Sequence, residues 1–96
     1  MHVNWLRTAI KNLDDAAEYI ARDNPAAASK LVNIISALTK RLAHYPSLGR
    51  PGRVPKTREL IVPSTPYIVV YRIRSTGIDI IRILHGARKW PAQFDE

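Results

Sequence analysis

The stretch "PYIVVYRIRSTGIDIIRIL", residues 66 to 84, limits what this chain can become. Residues 67 to 74 are β-branched, aromatic or apolar at almost every position, which marks a central strand rather than a half-wet one. Ser75-Thr76-Gly77 is a turn, and "IDIIRIL", residues 78 to 84, returns as the paired strand of a hairpin. A hairpin this apolar needs a second layer to cover it, so the rest of the chain must supply one.

The first half does so. Leu6, Ile10, Leu13, Ala17 and Ile20 recur at helical spacing, while Lys11, Asp14, Asp15, Glu18 and Arg22 fall mostly on the other face. Asp23-Asn24-Pro25 ends this helix. Asn24 can cap a second one, and Pro25 fits its first position, where the missing N–H has no partner to lose. The second helix is expected from Pro25 to about His44, with Leu31, Ile34, Ile35, Leu38, Leu42 and Tyr45 on its apolar face. Two amphipathic helices with so short a joint form an antiparallel hairpin. Val3 to Leu6 reads as a short first strand, and Glu59-Leu60-Ile61-Val62, stopped by Pro63, as another. Between them "PSLGRPGRVPKTR", residues 46 to 58, holds three prolines and two glycines and is expected to be a loop. The order is β-α-α-β-β-β with a basic C-terminal tail. It is an α+β fold: an N-terminal strand and a two-helix hairpin packed on a small, mainly antiparallel sheet. The 96 residues suit one domain, 1 to 96.

Charge narrows the partners. The formal net charge is +7 and the sequence pI about 10.3, which suggests an acidic counterpart (nucleic acid, an anionic membrane or an acidic protein), the alternative being charge that serves solubility alone. Residues 1 to 48 hold six Lys/Arg and four Asp/Glu; residues 49 to 96 hold nine and four, so the anion-facing surface belongs to the second half. Absence of cysteine excludes disulfides, thiolate metal sites and a cysteine nucleophile. His2, His44 and His85 are scattered without metal-ligand spacing. No phosphate loop, dinucleotide fingerprint or nucleophile elbow is present, so no cofactor is expected. No apolar run approaches a membrane span, and Met1-His2-Val3-Asn4-Trp5 does not resemble a secretion leader. A cytoplasmic location is the expectation.

Two basic clusters carry the candidate chemistry. Arg50, Arg53, Lys56 and Arg58 lie within nine residues of one loop, and "HGARKWP" places His85, Arg88, Lys89 and Trp90 just beyond a strand. The loop cations can hold a nucleic-acid backbone, receive an acidic peptide or only solvate the loop. His85 can act in acid–base chemistry, contact an anion, or be a strand-end histidine satisfied by backbone. By alternation Asp79, Ile81, Ile83 and His85 share one strand face, and Ile78, Ile80, Arg82 and Leu84 the other. Gly86 permits a close backbone approach. Trp90 reads as an edge-packing aromatic or a stacking platform.

A two-helix hairpin followed by "GRPGRV", "TREL", "PYIVVYR" and "ILHGARKWP" resembles the RelE/ParE superfamily of bacterial type II toxin–antitoxin toxins, over nearly the whole chain. The resemblance implies two helices on an antiparallel sheet and a cognate antitoxin partner whose C-terminal segment wraps the toxin. It also implies one of two activities. RelE-type members are ribosome-dependent mRNA endonucleases that cut in the A site; ParE-type members inhibit DNA gyrase. The arginine that RelE-type strands carry before their apolar run is replaced here by Tyr67, and no tyrosine follows "HGARKWP". Loss of one charge-stabilising group commonly costs orders of magnitude in rate. The ending is more similar to ParE-type relatives. The expectation is therefore a gyrase-directed toxin with Arg50, Arg53, Lys56, Arg58, His85, Arg88, Lys89 and Trp90 as target-binding residues. The alternative is a nuclease using Glu59, Arg58, His85 and Arg88. A degenerate, non-toxic domain is a third possibility.

Overall fold

The computed structural model describes residues 1–94; Asp95 and Glu96 lie outside the described residues. The chain runs β1 (His2–Trp5), α1 (Arg7–Ala21), α2 (Pro25–Leu42), a short 3-10 turn (Pro46–Leu48), β2 (Arg50–Pro51), β3 (Arg58–Ile61), β4 (Tyr67–Arg74) and β5 (Gly77–His85). One five-stranded sheet has the order β1-β5-β4-β3-β2. Neighbours are antiparallel except β1, which lies parallel to β5. The α+β order expected from sequence is present. The expected 46–58 loop differs in detail, because Arg50 and Pro51 pair with Glu59 and Arg58 as an edge strand. A proline is tolerated there because an edge strand leaves one side of its backbone unpaired.

The helical hairpin covers one sheet face. Asn24 caps α2 as expected, its Oδ1 accepting the Ala27 N–H at 3.0 Å, with Pro25 in the first turn. Leu31, Ile35 and Leu42 of α2 are buried against Tyr67, Val69 and Tyr71 of β4 and Ile78, Ile80 and Ile83 of β5. Two expectations need correction. The contact face of α1 is centred on Ala9 and Ala16, flanked by Leu13 and Ile20, whereas Ile10 is 48% exposed. Alanines at the centre allow the helix axis to approach the sheet, so the larger Ile10 is turned outward. Tyr45, expected on the α2 face, is 62% exposed because the helix ends at Leu42. Thr39 is buried in its stead and satisfies its hydroxyl by donating to the Ser36 carbonyl at 3.0 Å.

The β4–β5 pairing carries a bulge. Val70 opposes Arg82 and Tyr71 opposes Ile80, so Ile81 has no partner. An extra residue in one strand reverses the phase of alternation beyond it. Ile78 and Ile80 face the helices before the bulge and Ile83 after it. Asp79 and Arg82, expected on opposite faces, therefore share the face turned away from the helices.

Tyr71 ties the sheet to the loop beneath it. Its side chain is fully buried, its hydroxyl donates to the Pro46 carbonyl at 2.7 Å and accepts the Gly49 N–H at 2.8 Å. Burial pushes the phenol above the usual tyrosine range. A Cβ on Gly49 would lie 2.7 Å from the Tyr71 ring and 2.8 Å from the Glu59 carbonyl, so the contact requires glycine. Tyr71→Phe keeps the ring and strands both loop groups. It is expected to cost about 1–3 kcal/mol in urea unfolding; a neutral result would mean that the hydroxyl does not hold the loop.

Candidate target-binding face

The face away from the helices is built from rows running across the strands. In one row Asn4 of β1 stands opposite Asp79 of β5, which stands opposite Arg72 of β4. Asp79 is 2% exposed. Its Oδ2 accepts from Arg72 Nε at 2.8 Å and pairs with Arg74 Nε at 3.1 Å, while Asn4 Nδ2 donates to Oδ1 at 3.4 Å. In the next row Arg82 of β5, Val70 of β4, Glu59 of β3 and Arg50 of β2 lie side by side. Glu59 is 3% exposed. Its Oε1 accepts from Arg50 Nη2 and Arg53 Nη2, each at 3.2 Å. Its Oε2 accepts the Arg53 backbone N–H at 2.7 Å and Arg53 Nε at 3.2 Å. The bonds from Arg53 fold the loop after β2 onto this face.

Burial alone would raise both carboxyls. For Glu59 the bonds from Arg53 and Arg50 outweigh it, and the group is held below the usual glutamate range. For Asp79 the bonds from Arg72 and Asn4 and the charges of Arg74 and Arg72 do the same. Each carboxylate is thus locked as an anion between cations. Among the described residues the face carries five arginines (50, 53, 72, 74 and 82) against two carboxylates, a positive balance.

The tail reaches the same face. β5 ends at His85, and the Gly86 N–H donates to the Pro66 carbonyl at 2.7 Å. A Cβ on Gly86 would lie 3.1 Å from Ile68 Cδ1, so the close turn at this point uses the missing side chain. The His85 carbonyl accepts the Arg88 N–H at 3.2 Å and Trp90 Nε1 at 3.0 Å. The Arg53 guanidinium lies 3.6 Å from the centre of the Trp90 ring. The His85 ring meets Tyr67 edge-on at 5.7 Å, and its Nδ1 accepts the Ala87 N–H at 3.2 Å. His85, Arg88, Lys89, Trp90, Asn12 and Tyr19 border a cavity of about 360 Å³ between α1 and the end of β5.

The expected site residues thus fall into three places. His85, Arg88, Lys89 and Trp90 stand together, with Arg53 joined to them through Trp90. Arg50 and Arg53 turn toward Glu59. Arg58 donates to the Gly49 carbonyl at 2.6 Å and, with the exposed Lys56, borders a separate shallow cavity beside Ile73. The nuclease set is not assembled. Arg58 and Glu59 are consecutive in β3 and face opposite ways. His85 stands beside Tyr67 on the helix-facing side of the sheet, and Glu59 is on the other. Arg72, Arg74 and Arg82 were missed as site residues. The period-two spacing of Arg72 and Arg74 was a readable signal for a shared strand face; the bulge that brings Arg82 beside them was not.

A helical hairpin packed on one side of such a sheet is the arrangement that the resemblance to RelE/ParE-superfamily toxins implied. The sequence model described as "ParE toxin of type II toxin-antitoxin system, parDE" matches residues 3–90, and the chain belongs to that family. It is 40% identical over 89 residues to "Putative toxin Y4kP" of Sinorhizobium fredii, covering 93% of this chain and 92% of the relative. It is 30% identical over 86 residues to "Toxin RelE2" of Caulobacter vibrioides, covering 90% and 96% respectively. Its fold is similar to a chain solved in "Chromosomal ParDE TA system from P. aeruginosa", with a TM-score of 0.80, 30% identity, and 88% and 95% of the two chains covered.

The acid limb of stability tests the arginine–carboxylate rows. The unfolded chain takes up protons on its aspartates near pH 4, whereas folded Asp79 resists protonation to lower pH. Its contribution is therefore complete above that range and lost as pH falls through the depressed folded value. Asp79→Asn takes up no proton, so its unfolding free energy is expected to fall less steeply below about pH 4 than that of the parent. Equal slopes in urea titrations at stepped pH would contradict the pairing.

Proposed function

We propose that this toxin acts as ParE-type members are expected to act: it inhibits DNA gyrase, arrests growth, and is held inactive by a cognate antitoxin. Growth arrest released by antitoxin loss would in turn stabilise a plasmid that carries the pair. The observation that carries this reading is the dispersal of the nuclease groups. A general base must be free to take a proton, yet Glu59 is pinned by two arginines and lies across the sheet from His85. The His85 ring is packed on Tyr67 and its Nδ1 is occupied. What the surface offers is fixed positive charge and a basic tail, which suits docking to an acidic or nucleic-acid-bound target. Family membership with ParE toxins supports the same reading. An antitoxin would meet apolar surface as well as charge: Ile20, Leu31, Ile34, Pro63, Pro66 and Tyr67 border a groove of about 270 Å³ at the far end of the helical hairpin.

Two observations favour the other reading. The similarity to "Toxin RelE2" and the five arginines of the open face suit a ribosome-dependent mRNA endonuclease. A supercoiling assay with purified toxin separates the two. The expected result is inhibition with accumulated cleaved DNA, relieved by antitoxin. Arg88→Ala should weaken inhibition several-fold, and deletion of residues 86 to 96 should abolish it. Unaffected gyrase together with A-site cleavage of translated message would replace this proposal with the nuclease reading.

A further inference from the structure

We propose that Arg53 is a positioning residue: oriented by Glu59, it clasps Trp90 and thereby fixes the basic pair Arg88–Lys89 at the cavity between α1 and the end of β5. This rests on the tail being the docking element.

The argument begins with what Arg53 has left to give. Its Nε and Nη2 are both bonded to Glu59, and its backbone N–H is bonded to the same carboxylate. A guanidinium held in its own plane by a carboxylate presents its flat face, and that face lies on Trp90 at 3.6 Å. Trp90 is fixed at its other end, because Nε1 donates to the His85 carbonyl. Three contacts in series, Glu59 to Arg53 to Trp90 to the end of β5, close a loop over the sheet. Arg88 and Lys89 lie inside that loop, between the His85 carbonyl and Trp90, and both are exposed. Without the clasp, residues 87 to 94 would keep the turn at His85, the Trp90 bond to the His85 carbonyl and the Phe94 contact with Arg82, but nothing would tie Trp90 to the loop after β2. A flexible tail loses conformational entropy on docking; a pre-set one does not. Arg53 and Trp90 therefore act on the target through Arg88 and Lys89 rather than by touching it.

The two tryptophans of the chain make the test internally controlled. Trp5 lies in β1 at the opposite edge of the sheet, far in order from β2 and its loop. Protein labelled with 5-fluorotryptophan gives two fluorine resonances, assigned with Trp90→Phe. In Arg53→Ala the Trp90 resonance is expected to move to the position of an exposed indole while that of Trp5 stays. Arg53→Lys keeps charge for Glu59 but loses the flat stack, and should move Trp90 part of the way. Should both resonances move in the alanine variant, Arg53→Lys decides. A Trp90 resonance unmoved in the lysine variant then overturns the proposal, and one moved while Trp5 stays supports it.

The functional arm uses gyrase inhibition. Arg53→Ala and Trp90→Ala should each lose roughly three- to thirtyfold in potency, the size of one cation–π contact. The double variant should lose no more than either, because both open the same clasp, and Trp90→Phe, which keeps a ring for Arg53 but loses the Nε1 bond to His85, should fall between the parent and Trp90→Ala. Additive losses would mean that Arg53 and Trp90 touch the target separately, and would overturn the clasp. The spectroscopic arm reads the clasp in free protein, so it stands if gyrase proves not to be the target; an Arg88→Ala variant with full potency would instead strike the docking reading and leave the resonances as they are.

Discussion

The pairing of β4 with β5 is the constraint from which the rest follows. Both strands sit inside the sheet, and Val69, Val70, Tyr71 and Ile80 are fully buried. Their helix-facing side chains give α1 and α2 something to cover, which is where most of the stabilising apolar burial lies. Their other side chains set the positions of every charged row. The unpaired Ile81 matters here out of proportion to its size. Without it, Arg82 would point into the helix layer if Asp79 kept its place among Asn4, Arg72 and Arg74. The bulge lets one strand be apolar toward the helices from Ile78 to Ile83 and still deliver both an acid and an arginine to the opposite face.

That opposite face handles a problem that basic proteins share. Arginines side by side repel, and a sheet row sets neighbours only about 5 Å apart. Here each group of arginines surrounds a buried carboxylate: Arg72 and Arg74 around Asp79, Arg50 and Arg53 around Glu59. The carboxylates are desolvated, which is costly, but each has several charge-assisted bonds to offset the loss. The outcome is orientation more than stability. The arginine side chains stay partly open to solvent, from 31% for Arg72 to 56% for Arg74, and their planes are set in advance.

Much of the fold could be read in the sequence because it depends on periodicity and on a few residues with strong local preferences. The apolar run from Tyr67, the Asn24-Pro25 cap and the turn at Ser75-Thr76-Gly77 each dictate their element by local chemistry. What could not be read depends on pairing. The parallel placement of β1 beside β5 is set by where the helical hairpin delivers the chain. The α1 face turned from Ile10 toward Ala9 because helix-to-sheet distance, not hydrophobicity, decides which side chains fit. The site was half legible. Charge density marked the loop and the tail, but nothing local could show that Arg53 would be consumed by Glu59, or that Arg58, one residue before Glu59, would turn the other way.

Those internal pairings bear on what the basic face can do. A catalytic arginine works by meeting charge that appears only in the transition state, and it works best when no permanent anion already sits beside it. Arg50, Arg53, Arg72 and Arg74 each have such an anion at 2.8 to 3.2 Å. Their contribution to a developing negative charge is correspondingly reduced, while the net positive field of the face, five arginines to two carboxylates among the described residues, persists at the longer range that governs encounter. Attraction of that kind is set by the total and is screened by salt. Retention of a partner needs contacts close at hand, and among the described residues Arg88 and Lys89 of the tail, like Lys56 and Arg58 before and in β3, make no ion pair with a carboxylate. For the proposed docking this divides the work physically: the field of the sheet acts at long range, and the tail, bonded through Trp90, is the part left for close contact.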